Sequence, residues 1–172
     1  MRLENKVAVV TGASSGVGRQ VALLFAKEGA KVVAVARRKE RLLELEEASK
    51  ELAGEIVAYA GDISLEETNS AMIDFAIEKF GKFDILINNA GLMDNFAPAE
   101  NLDTELLERL MKVDVFGPAW ATKKAVNVFL NNEKGGSIVT KGSHGKTSLP
   151  PQNKNTEGRY PPIFFVIRKF NS

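Results

Sequence analysis

The apolar run Lys6-Val-Ala-Val-Val10 opens directly onto a glycine turn, Thr11-Gly-Ala-Ser-Ser-Gly-Val-Gly18. A strand that turns into a helix within so few residues aims the helix's free amides and positive dipole end at whatever lies beyond the strand, which is a seat for a pyrophosphate. Gly12 permits the turn, Gly16 leaves room for close approach of a ligand, and Gly18 lets the helix pack on the strand. Ser14, Ser15 and Val17 complete the loop as candidate contacts. The spacing is G-x-x-x-G-x-G, not the G-x-G-x-x-G of ordinary dinucleotide folds, so the mechanism of that fingerprint is met but its letter is not. Alone, the motif also fits a glycine bend with no ligand.

Apolar periodicity places strands over 7–10, 31–36, 55–60, 83–87 and 137–140, separated by helical stretches, a pattern that calls for parallel strands joined by crossover helices. In the first helix Val17, Val21, Leu24 and Phe25 recur at helical spacing as its expected buried face, before Gly29. A second helix is expected over 40–53, with Leu42, Leu45, Ser49 and Leu52 along one side, an ion pair from Glu46 to Lys50, and Gly54 after it. A third is expected over 65–80 with Ser64 as its cap, and a long fourth over 102–130. The expected class is therefore α/β, a doubly wound parallel sheet.

With 172 residues, 44% hydrophobic and 26% charged, the chain has the balance of one ordinary domain. It has no cysteine, no apolar stretch near the ~18 residues of a membrane helix, and no room before the first strand for a secretory leader, so the cytoplasm is the expected compartment. Residues 141–172 carry six basic groups against one acidic group, Glu157, but these are scattered among Pro, Asn, Gly and Thr. That is the composition of a solvated segment, and neither a nucleic-acid nor a membrane partner is expected. No metal site is expected either.

Together with Thr11–Gly18, Asp62 after the third strand and Asn88-Asn-Ala-Gly91 after the fourth give the chain a clear likeness. Over residues 1–143 it resembles the short-chain dehydrogenase/reductase family. The resemblance implies a Rossmann-type sheet of five strands in the order 3-2-1-4-5, incomplete at the carboxyl side. It implies that the glycine loop holds the pyrophosphate of a nicotinamide dinucleotide and that Asp62, with Ile63, contacts the adenine. The segment containing Asn89, Ala90 and Gly91 would steady the central sheet near the adenosine. At the end of the second strand, where a carboxylate would select NAD, stand Ala36, Arg37 and Arg38. A guanidinium pairs with a ribose 2′-phosphate, so NADP(H) is expected over NAD(H), although two solvated loop arginines also fit.

The catalytic half departs from the family pattern. There a tyrosine works as proton donor or acceptor and a lysine four residues later lowers its pKa, but here Tyr59 is followed at that spacing by Ile63 and Tyr160 by Phe164. Tyr59 is expected to pack, and Pro161 and Pro162 disfavour a helix at Tyr160. Ser143 stands where the family has a serine bonding the substrate carbonyl, though a polar loop serine fits equally. His144, a lone loop histidine, supports no Ser-His nucleophile. Asp114 stands where the family usually has an asparagine whose main-chain carbonyl holds a water. Pro118 has no amide hydrogen to bond the Asp114 carbonyl, which should leave it free and kink the helix.

The expected division is therefore a dinucleotide-binding domain over 1–145 and an irregular basic tail over 146–172, as in a truncated or frame-shifted product. Ile163-Phe-Phe-Val-Ile167 would add beside the fifth strand or stay exposed. Marginal stability is expected, with association into a homo-oligomer through the helix 102–130 and its Phe116, Trp120 and Phe129. Two readings follow: a nucleotide-binding oxidoreductase relative without catalysis, or an active NADP(H)-dependent carbonyl or alcohol oxidoreductase with an unrecognised proton donor.

Overall fold

A computed structural model describes residues 1–93, 101, 103–132 and 135–142. Five parallel strands form one sheet: β1 (Val7–Thr11), β2 (Lys31–Ala36), β3 (Glu55–Ala60), β4 (Ile85–Asn88) and β5 (Ser137–Thr140). Their order is β3-β2-β1-β4-β5, as expected. Period-two alternation sorts the side chains onto two faces. Val7, Val9, Val33 and Val35 meet α3 (Glu66–Phe80) and α5 (Gly117–Leu130), whereas Ala8, Val10, Val32 and Ala34 meet α1 (Gly16–Lys27) and α2 (Lys39–Glu47). Both faces are covered, which explains why β1 and β2 read as nearly unbroken apolar runs.

The helices correct several expectations. α1 buries Gly18, Ala22 and Ala26, while Val17 and Leu24 are exposed and Val21 and Phe25 only half-buried. The helix lies so close to the sheet that its smallest side chains face inward. The close packing continues into its neighbours, with the Gly54 amide donating to the Ala26 carbonyl at 2.8 Å. α2 ends at Glu47, not at residue 53, and the chain then proceeds by turns. Leu42, Leu45 and Ser49 are buried as the pattern required. Lys50 pairs with Glu47 at 2.6 Å instead of with Glu46, because Glu46 Oε2 accepts from the Ala58 amide of β3 at 3.0 Å. α3 is preceded by Leu65 without a side-chain cap; Ser64 instead donates its amide to Asp62 Oδ1 at 3.0 Å. β4 begins at Ile85, and Phe83 sits just before it, buried and stacked on Phe129 at 5.1 Å.

The long fourth helix divides into three parts. α4 (Thr104–Leu110) starts at Asp103, whose side chain accepts from the Glu105 amide at 3.1 Å, and α5 follows a π-helical turn over Met111–Phe116. Pro118 explains the widening. It cannot donate to the Asp114 carbonyl, and the Gly117 amide donates to the carbonyl of Lys112, five residues back. Phe129 is buried and so is not available for association, whereas Leu107, Met111, Val115 and Phe116 are exposed. Tyr59 packs on Phe75 at 5.3 Å between ring centres. The tail over 146–172, Tyr160 and the run 163–167 lie outside the described residues.

Candidate functional site

Beyond the carboxyl ends of the strands lies a cleft of about 600 Å³. It forms where loops following successive strands converge on the reversal of strand order beside β1, the position that favours ligands in open α/β sheets. The loop after β1 contributes Gly12, Ser14, Ser15 and Val17, and the end of β2 contributes Arg37 and Arg38. Asp62 and Ile63 come from the loop after β3, and Asn89, Ala90 and Gly91 from the one after β4.

The other two glycines of the turn serve the cleft without lining it. Gly16 has φ +56° and open space where a Cβ would project, in front of the first turn of α1. Ser15 precedes that turn in extended conformation and its side chain does not cap it, so first-turn amides remain unsatisfied by a side chain. Gly18 is buried, and a Cβ there would strike the Asn89 side chain and the Gly12 carbonyl. Its smallness therefore serves both the close seat of α1 at the end of β1 and the approach of the Asn89 side chain. Gly12, with φ +68°, is held 2.8 Å (as a hypothetical Cβ) from Ala90 Cα.

Thr11 locks these loops together, a role not foreseen in the sequence. Its hydroxyl donates to the Ile87 carbonyl at 3.3 Å and accepts from the amides of Asn89 and Ala90, each at 3.1 Å. Asn89 Nδ2 returns a bond to the Thr11 carbonyl at 3.0 Å. Asn88 turns the other way, its amide lying 3.3–3.5 Å from the Thr140 and Thr122 hydroxyls and the Pro118 carbonyl. The Asn-Asn pair thus ties β4 to β1 on one side and to β5 and α5 on the other.

The charged groups divide along the cleft. Arg38 Nη2 donates to the Ser14 hydroxyl at 3.2 Å and lies 3.4 Å from that of Ser15, bringing a guanidinium onto the glycine loop. Ala36 offers no carboxylate opposite it. Leu92, Val113 and Lys141 also line the cleft and were missed in the sequence; Lys141 directly follows β5, so the rule that sites gather at carboxyl strand ends could have found it. Asp114 acts through its side chain: Oδ1 accepts from the Leu92 amide at 2.8 Å and so holds Leu92, the residue directly after Gly91. Burial pushes its carboxyl above the usual range, opposed by that hydrogen bond. Ser143 lies outside the described residues.

A nicotinamide dinucleotide fits these features: an uncapped helix start behind Gly16, a loop cleared of side chains at Gly12, and guanidinium groups beside it. A family model described as short chain dehydrogenase matches residues 6–152. A 3beta-hydroxysteroid dehydrogenase 2 of Eggerthella lenta is 35% identical over 141 residues, covering 82% of this chain and 54% of that protein. A metagenomic short-chain oxidoreductase solved in complex with NADP superposes with a TM-score of 0.76 at 29% identity, over 81% of this chain and 63% of that one. An NAD+-bound xylitol dehydrogenase gives the same TM-score and identity, over 81% of this chain and 54% of that one. The chain spans about half the length of the curated relatives it matches. No described helix is long and apolar enough to cross a membrane.

Proposed function

The chain belongs to the short-chain dehydrogenase family, and from that premise we propose that it binds NADP(H), in preference to NAD(H), in the cleft at the carboxyl edge of its sheet. The observation that carries the reading is the Arg38 guanidinium seated on Ser14 and Ser15 with no carboxylate at the end of β2. In this reading the amides at the start of α1, cleared by Gly12 and Gly16, receive the pyrophosphate, and Arg37 and Arg38 the 2′-phosphate. Asp62 and Ile63 take the adenine. Asn89, Ala90 and Gly91 line the cleft beside it, and Asp114 holds Leu92.

Such a cofactor, when bound, supplies or accepts hydride. Within these 172 residues no tyrosine–lysine pair at the family spacing handles the accompanying proton. The proposed function of this chain is therefore oxidoreductase-type cofactor binding without turnover, carried by residues 1–145 and located in the cytoplasm. Ser143 is the remaining candidate for holding a substrate carbonyl.

Fluorescence titration with NADPH and NADH, followed by turnover assays on a panel of carbonyl and alcohol substrates, tests both statements. Tighter NADPH binding with no turnover is expected. Absence of binding overturns the reading, and turnover establishes the active oxidoreductase with another proton donor. Self-association through the exposed Leu107, Met111, Val115 and Phe116 belongs to the same proposal. Sedimentation should show a dimer that Phe116→Glu converts to monomer.

A further inference from the structure

Asn69, in the first turns of α3, has only 1% of its surface exposed. Its Nδ2 donates to the carbonyls of Ile63 and Leu65, both at 2.7 Å, which fixes which end of the amide is the amine. Its Oδ1 is buried with no partner among the described residues. An orphaned buried acceptor costs about 1–3 kcal/mol, which the two bonds from Nδ2 to the Ile63 and Leu65 carbonyls offset. Those bonds, and not packing alone, account for an asparagine here.

What the amide holds is the turn that follows β3. Within it the Ser64 amide donates to Asp62 Oδ1 at 3.0 Å and the Leu65 amide to the Asp62 carbonyl at 3.2 Å. Gly117 of α5 packs close to the Ile63 carbonyl, where an added Cβ would stand 2.7 Å away. Gly61 closes the turn against Thr68 of α3. Asn69 thus supplies the side-chain bonds that fasten this turn to the helix, and the turn presents Asp62 and Ile63 to the cleft.

Asp62 is the one carboxylate among the described residues lining the cleft. With Oδ1 taken by the Ser64 amide, its remaining acceptor capacity suits an N–H donor, whereas the phosphates belong with the cations at the other loops. We propose that Asn69 is a positioning residue for the nucleobase end of the cleft: it sets the 62–65 turn so that Asp62 accepts from an exocyclic amino group of the base. The inference rests on the dinucleotide reading given above.

The test is titration of the full chain with NADPH, with NADH and with the 6-oxo analogue, reduced nicotinamide hypoxanthine dinucleotide phosphate, alongside thermal unfolding. The wild type should bind NADPH roughly tenfold more tightly than the hypoxanthine analogue, the worth of one hydrogen bond to a charged group. In Asn69→Val that ratio should fall to about one while the NADPH-to-NADH ratio, set at Arg37 and Arg38, stays, and the unfolding midpoint should fall because the Ile63 and Leu65 carbonyls lose their side-chain donor. If Asn69→Val does not fold, Asn69→Asp, which keeps the shape but replaces the donors with acceptors, should show the same collapse of the base ratio.

A variant that retains the base ratio, or loses both ratios together, overturns the positioning role while leaving the dinucleotide reading intact. Failure of the wild type to bind any of the three overturns that reading and this inference with it. A wild type that binds without distinguishing the two bases overturns the inference alone.

Discussion

The two edges of the sheet are finished in opposite ways. At the amino edge Asp84, almost fully buried, accepts from the Val7 amide at 2.9 Å and pairs with Lys82 at 3.0 Å, while its own backbone bonds both β1 and β5. That edge uses its polar groups internally. At the carboxyl edge the start of α1 lacks a side-chain cap, Gly16 faces open space, and Asn89 keeps a buried carbonyl oxygen with no partner among the described residues. One edge spends its hydrogen-bonding capacity on stability, and the other withholds it for a ligand, at a cost that the well-satisfied edge offsets.

Substitutions can separate the two. Gly12→Val should have the largest effect and hit both properties, because it combines a left-handed backbone with a Cβ pressed on Ala90. A loss of about 2–5 kcal/mol in denaturant unfolding is expected, together with loss of NADPH binding. Asp84→Ala should strand the buried Val7 amide and cost about 2 kcal/mol of stability, yet leave the NADPH affinity of the folded fraction unchanged. A large change in that affinity would show the edges to be coupled.

Arg38→Gln reverses the pattern, weakening NADPH by roughly 10–100-fold with NADH and the unfolding midpoint little altered. Equal weakening of both cofactors would place Arg38 at the pyrophosphate instead. The smallest effect is expected at Asp114. Burial raises its carboxyl pKa, so the folded state binds the proton more tightly than the unfolded state, and stability falls as pH rises from the ordinary carboxylate value through the raised one. Asp114→Asn keeps an oxygen for the Leu92 amide and removes the charge. It should therefore raise stability at neutral pH by about 0.5 kcal/mol or less after solvent screening, and the gain should vanish in acid. Unfolding curves at pH 7 and in acid check the sign.

How much was legible depends on the range of the interaction. β2, β3 and β5 fall where their apolar runs place them, most clearly β2, whose Val32–Val35 are buried between the two helical layers. Eleven of the cleft residues could be named in advance because the glycine turn, the Arg pair, Asp62 and the Asn-Asn segment each sit at the end of a strand. The inward face of α1 was misread because Val17 and Leu24 carry the larger apolar side chains, while the distance between helix and sheet admits only Gly18, Ala22 and Ala26. The bridges from Thr11 to residues 89 and 90, from Asp114 to Leu92 and from Asn69 to Ile63 join positions with no shared periodicity.

The order of residues by itself determined the parallel sheet, its crossovers and the phosphate-suited turn, because period-two burial and glycine's freedom at positive φ act within a few residues. Only the tertiary structure decided which helix face lies inward and how four loops are bound into one cleft. Those outcomes depend on the spacing between packed layers and on hydrogen bonds across 20 to 80 positions of chain, and neither leaves a local trace in the sequence.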